Sequence, residues 1–509
     1  MGEAVNNKGH KISLFSAIML ALNSLIGSGW LFGSGSAAKI AGPAAILSWI
    51  IGAVIIIAIA LTYVELGAMF PESGGMSKYA QYSHGPMLGF IAAWANWTHH
   101  FMQGGNITTP GLLVVFAFMI IFTLINFWSI KIMTHFTNLI SVFKVLLPTI
   151  TIIMLFASSF HPANFGHDVK TFMPYGSRAI FEAASGAGII MSYDAFQTII
   201  NIGGELKNPR KNIIRGVWIS MLVTAAIYIL LQIAFIGAVD PAIIAKNSWQ
   251  RINFASPFAD IAILLGINWL VILLYMDAFV SPFGTGVAFV ATASRALAAM
   301  THTKHLPAWL GRLNRRYLVP RFAMVADLIL AMILVSVFRN WNLLATVITC
   351  ATLIAYLTGP VTTITLRKIA PDLDRPYKPV YMRWFAPLTF VLTSLAIYWT
   401  MWPTTIQVIL VIVLGIPIYF YYEVKYQKRN FKSQFKHAAW LLGYLVFISI
   451  MSYCGSDGFG GQNWISYPWD FLVISIASLL FYKFAINSGL EKIDATAIKV
   501  NEKIKLEED

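Results

Sequence analysis

The chain has 509 residues, of which 58% are hydrophobic and 11% charged, with a net charge of +14. Soluble domains carry roughly 25% charged residues, and a soluble protein of this length could not hide so much apolar surface, so the composition places the chain in a bilayer. The positive balance does not call for nucleic acid, because cytoplasmic loops of membrane proteins collect Lys and Arg.

A short basic tail over 1–13, with Lys8 and Lys11, leads into the first of many apolar runs, and no cleavable signal peptide is expected. Apolar segments then predict spans near 14–41, 43–68, 79–102, 111–130, 136–158, 178–204, 213–237, 258–299, 322–338, 342–366, 384–402, 405–424, 437–454 and 467–487. Most approach the 20 residues or so that cross about 30 Å of hydrocarbon as a helix. The expected class is an all-α polytopic membrane protein with fourteen spans. The eighth segment is too long for one crossing, so part of it reads as an outer lead-in.

Charge fixes the direction. With the N-terminus inside, 29 of the 36 Lys and Arg fall on inner segments. The outer ones hold only Lys39, Lys170, Arg178, Lys246, Arg251 and Arg339, and Lys144 lies within a span. This is the positive-inside pattern, and it predicts a multi-pass protein of the cell membrane with both termini cytoplasmic. The third span is the weak point, since its clearly apolar part is short, and it crosses only barely. Its apolar part, Met87–Trp97, is flanked by Gln81, Ser83 and His84 on one side and Thr98, His99 and His100 on the other.

Two spans are interrupted near mid-depth. The first carries Ile26-Gly27-Ser28-Gly29, and glycine costs about 1 kcal/mol relative to alanine inside a helix. Either these small residues let helices pack closely, or the helix unwinds where it lines a cavity. Unwinding frees N–H groups and carbonyls, ready partners for a carboxylate and a cation. The sixth span carries Ser185-Gly186-Ala187-Gly188 and then Ser192-Tyr193-Asp194. A mid-span acid such as Asp194 is expensive, and is usually functional or paired. Corresponding breaks five spans apart point to a transporter of inverted repeats with its site at the midplane.

The motifs now match a family. Ile26-Gly27-Ser28-Gly29 is followed by Glu65-Leu66-Gly67, by Phe70-Pro71-Glu72-Ser73-Gly74-Gly75, by Gly204-Glu205-Leu206-Lys207-Asn208-Pro209, and by Ser294-Arg295 and Leu306-Pro307. In this order they resemble the amino acid–polyamine–organocation superfamily of permeases, and within it the bacterial aspartate–proton symporters. The resemblance implies a five-plus-five inverted-repeat core over 14–366. It further implies a substrate carboxylate at Ile26, Gly27, Ser28 and Gly29, with the backbone around Ser192, Tyr193 and Asp194 facing the α-amino group. In proton-coupled relatives a lysine on the fifth helix replaces a sodium ion, and Lys144 resembles that position.

The residues themselves agree about Lys144. It lies roughly 12 Å inside the inner membrane edge at 1.5 Å per residue, where burial penalises the charged form and can make the proton exchangeable. Snorkelling to the surface is the ordinary alternative. Asp277, near Ser281 and Pro282 in the eighth span, reads as a partner of Lys144 or as pathway lining. Ser24, Ser28 and Thr349 are further donors for a substrate side chain. Glu65 and Glu205, near inner ends, read as loop organisers. Cys350 and Cys454 form no ligand pattern, no Walker lysine pattern or HExxH occurs, and neither cofactor, metal, nucleotide nor enzymatic activity is expected.

Two departures from the family stand out. The stretch between Trp97 and Pro110 holds almost nothing apolar and reads as an internal deletion in the third helix. Beyond helices 11–12 at 384–424, a basic loop at 425–436 leads to two more helices within 437–487 and a tail at 488–509 with an acidic end. The repeat core does not need these additions.

Overall fold

The computed structural model describes residues 11–27, 29–98, 109–128, 130–302, 306–314, 317, 319–337, 341–422, 431–494 and 498–499. Among them there is no β-strand beyond isolated bridges, and every predicted span falls on a helix or a set of helices. Span 1 is α1a (Leu14–Leu25) and α1b (Trp30–Ala41); span 2 is α2 (Ala45–Met69); span 3 is α3a (Tyr79–His84) and α3b (Pro86–Thr98). Then follow α4 (Thr109–Asn126), α5 (Ile130–Ser158), the broken sixth span with α6a (Arg178–Gly186) and α6b (Gln197–Asn201), and α7 (Pro209–Ala238). A lead-in helix, Pro257–Leu264, precedes α8 (Asn268–His302). The chain continues through α9 (Arg321–Val337), α10a (Trp341–Tyr356), α10b (Thr358–Ile369) and α11 (Met382–Tyr398). It ends with α12 (Thr404–Val413, then Ile416–Tyr422), α13 (Phe431–Cys454) and α14 (Trp469–Asn487).

The β-branched run in α2, Ile55-Ile56-Ile57 within Ala53–Leu61, would weaken a helix in water. In hydrocarbon each unsatisfied backbone group costs several kcal/mol, so the helix wins. Polarity then sorts the faces. On α5, Leu139, Leu146 and Ile153, seven residues apart, are exposed, whereas Ser141, Lys144 and Thr151 are buried against the other helices. The chain is a multi-pass membrane protein with apolar side chains on its outer surface and, beside a large apolar core, buried polar ones between its helices.

The eighth segment divides as its length requires. Gly266, at φ 71°, turns the chain between the lead-in helix and α8. The third span is shorter than a full crossing: Gly85, at φ 80°, breaks it, and α3a folds back beside the 13-residue α3b. The absence of a side chain at Gly89 permits this, since a Cβ there would lie 2.6 Å from Gln81 Cβ. The expected deletion after Trp97, with His99 and His100, lies for the most part outside the described residues.

The last helices are packed into the body. The Tyr398 hydroxyl on α11 donates to Asp470 on α14 at 2.7 Å, and Ser456 donates to the same carboxylate at 2.9 Å. After α14 the chain returns to the third span, where Leu490 N–H donates to Ser83 O at 2.9 Å.

Candidate functional site

The two breaks meet in the centre of the bundle. α1a ends at Ile26 (φ −88°, ψ 80°), whose N–H still bonds Leu22 O at 2.8 Å, and α1b starts after Gly29. Gly27 N–H turns to Leu25 O instead of Asn23 O, at 3.1 Å. The unwinding predicted at Ile26, Gly27 and Gly29 is therefore present; Ser28 lies outside the described residues. The sixth span unwinds at Gly188, at φ 73°, and keeps only one helical turn, Ile189–Ser192, before α6b. A methyl group built on Gly29 would lie 3.9 Å from Ser192 Oγ, and one on Gly27 would lie 3.7 Å from Thr285 Oγ1. Backbone from one break thus faces the other break and α8.

The freed carbonyls of α1a have found partners. The fully buried Lys144 ammonium donates to Asn23 O and to Thr285 Oγ1, both at 2.7 Å. The Tyr228 hydroxyl on α7 donates to Leu25 O at 2.7 Å. A cation thus sits against the end of the inner half-helix, where the carbonyl dipoles favour positive charge. Lys144 does not snorkel.

Asp277 is joined to Lys144 through α8 and not by direct contact. Its Oδ1 accepts from Ser281 Oγ at 2.7 Å, and its Oδ2 accepts from Trp30 Nε1 at 2.9 Å. Thr285 donates in turn to Ser281 O at 3.0 Å. Positions 277, 281 and 285 share one helix face at i, i+4 spacing, which places the carboxylate and the ammonium in one buried, electrostatically linked network.

On the other side, Ser192 Oγ donates to Gly188 O at 2.9 Å, within its own turn. Tyr193 is buried, edge-on to Trp49 at 5.8 Å and to Tyr228 at 5.4 Å, and its hydroxyl has no hydrogen-bond partner among the described residues. Asp194 accepts a hydrogen bond from the Tyr356 hydroxyl of α10a. The donor residues expected for a side chain fare differently: Ser24 Oγ bonds back to Leu20 O at 3.0 Å, and Thr349 is buried on α10a.

Trp30, Tyr228, Thr285 and Tyr356 were not singled out from the sequence. Three of them are aromatic side chains within apolar runs, where a core or interfacial role is the default reading. The serine and threonine four and eight residues after Asp277 were the available signal for the α8 face.

Glu65 and Glu205 each hold ion pairs between elements. Glu65, 1% exposed, receives Arg367 at 2.8 Å and has Arg375 within 3.8 Å. Glu205 receives Arg295 Nε at 2.7 Å, and its main chain pairs with Ile12 at 2.8 Å. The first set of bonds ties α2 to α10b, and the second ties the N-terminal segment, the end of the sixth span and α8 together. Among the described residues no group of three or more His, Cys, Asp or Glu is placed to hold a metal.

Comparison with known proteins gives a consistent picture. Residues 12–447 match the model of a family described as amino acid permease. The chain is 45% identical to the glutamate/serine transporter AimA of Bacillus subtilis, over 96% of this chain and 95% of that protein. It is 33% identical to the aspartate-proton symporter of the same organism, over 94% of this chain and 97% of the relative. The branched-chain amino acid permease BcaP of Bacillus subtilis is 24% identical over 82% of this chain and 94% of its own length.

Proposed function

This chain belongs to the amino acid permease family, a family of transporters and not of enzymes, and we propose that it takes up amino acids by proton symport with alternating access. Residues 14–366 form the five-plus-five inverted-repeat core in this reading, with 384–424 and 437–487 as added helices. The protein sits in the cell membrane with both termini and the Arg295–Glu205 face in the cytoplasm. The substrate carboxylate is held by the backbone at Gly27–Gly29, and its amino group by the region of Ser192, Tyr193 and Asp194.

The observation that carries the reading is Lys144 lodged against the open end of α1a. A hydrogen bond to a charged group contributes about 1.5–3 kcal/mol, whereas taking an ion out of water costs several. The two acceptors offset the cost of burying the ammonium, which suits a group that must gain and lose a proton in each cycle. An acidic substrate is favoured by the names of the two relatives, one for glutamate and serine and one for aspartate.

The test is uptake of labelled glutamate, aspartate and serine into proteoliposomes with and without an inward proton gradient. Concentrative uptake that requires the gradient supports symport. Uptake indifferent to it but driven by amino acid inside the vesicle would make the protein an exchanger. Saturable binding without uptake would make it a receptor.

A further inference from the structure

Trp30 is the first residue of α1b, and its side chain works in two directions. Its indole N–H reaches Asp277 at 2.9 Å, while its ring packs on Phe258 of the lead-in helix with centroids 5.4 Å apart. Close packing continues along this seam, since a Cβ on Gly35 would lie 2.6 Å from Pro257 Cγ. A continuous buried path therefore runs from Lys144 through Thr285, Ser281 and Asp277 to Trp30, and from there to the lead-in helix. Resting on the proton-symport reading above, we propose that Trp30 is a positioning residue through which the proton on the Lys144–Asp277 network closes the outer end of the transporter.

The direction follows from charge. Among the described residues, the titratable groups in electrostatic reach of Asp277 are Lys144 from α5 and Tyr228 from α7, while α1b offers only the neutral indole. With the network protonated, the Asp277 carboxylate is balanced by the ammonium and holds Trp30, so α1b lies against α8 and the lead-in helix. Removing that proton leaves a carboxylate uncompensated in an apolar core, which is strongly unfavourable. Water admitted from the outer side relieves it, and admitting water requires α1b to swing out and the Trp30 bond to break. Proton binding thus closes the outer end, and proton loss opens it.

A small cavity of about 60 Å³ between α1b, α7 and the lead-in segment provides a reporter position at Ser36, which lines it together with Lys39 and Phe254. Ser36→Cys is placed in a Cys350→Ala, Cys454→Ala background and labelled with a maleimide in detergent from pH 5.5 to 8. Each rate is divided by that of Lys170→Cys, an exposed reference, so that thiol ionisation cancels. The expected result is a normalised rate that falls severalfold as pH falls, and that becomes flat with Trp30→Phe, which keeps an aromatic ring and removes the N–H. Phe258→Leu, which leaves the Asp277 bond in place, should also weaken the response. A Trp30→Phe protein that keeps the full pH response overturns the proposal, as does a reporter that ignores pH in the parent background. Binding of glutamate and serine, measured on the same samples by thermal shift, shows separately whether the transporter reading itself holds.

Discussion

Lys144 donates to the carbonyl of Asn23 at 2.7 Å, across 121 positions of sequence. That carbonyl is available because Gly27 N–H, which would take it in a continuous helix, bonds Leu25 O instead. The break in the first span and the cation in the fifth are therefore one feature, and neither is comfortable in a membrane alone. An unwound stretch needs partners for its backbone, and a buried ammonium needs acceptors.

Thr285 supplies the second acceptor for Lys144, also at 2.7 Å. Thr285→Val keeps the volume and removes the hydroxyl. Losing about 1.4 kcal/mol corresponds to tenfold, so gradient-driven initial rates should fall by roughly that factor. Thr285→Ser should stay close to wild type in the same assay.

Gly284 and Gly27 should differ in their tolerance of alanine. A Cβ on Gly284 meets Asn23 Oδ1 at 2.5 Å and Ile140 Cγ2 at 2.6 Å, whereas one on Gly27 finds its nearest neighbour at 3.7 Å. Overpacking costs about 1–3 kcal/mol. The melting temperature of Gly284→Ala should therefore drop by several degrees, with that of Gly27→Ala nearly unchanged.

Tyr356 donates to Asp194 from α10a, linking the second break to the helix that faces it. Tyr356→Phe removes one donor from a buried carboxylate, and Asp194→Asn removes the charge itself. Both should raise the KM for amino acid uptake by about tenfold (about 1.4 kcal/mol) while the protein remains folded by size-exclusion chromatography.

Glu65 is a different kind of acid. It sits 1% exposed between Arg367 and Arg375, so Glu65→Ala leaves two guanidinium charges without their carboxylate. Breaking a buried pair this way costs about 3–5 kcal/mol. A large fall in melting temperature should result, and Glu65→Gln, which keeps one acceptor, should fall less.

Much of this was legible because glycines and charges inside apolar runs are conspicuous. Gly27, Gly29 and Gly188 marked the breaks, and Lys144 and Asp277 marked the buried charges. The connections between them were not legible. Nothing in the sequence distinguishes Trp30, whose indole N–H reaches Asp277, from the tryptophans of an interfacial belt. Tyr228 and Tyr356 likewise look like ordinary core residues until their hydroxyls are seen to meet Leu25 O and Asp194. The fold-back of α3a on α3b was hidden for another reason: it depends on the turn at Gly85 and on Gly89 meeting Gln81 in space, and apolar periodicity does not register such a contact.

The most direct test of proton-coupled transport measures the proton itself. Proteoliposomes loaded with a pH-sensitive dye, held at equal pH inside and out, are given external glutamate or serine. Proton symport requires that amino acid entry acidify the interior, and that Lys144→Ala abolish the acidification even where it still binds substrate. Amino acid entry with no pH change in the wild-type protein, or full acidification in Lys144→Ala, would contradict it.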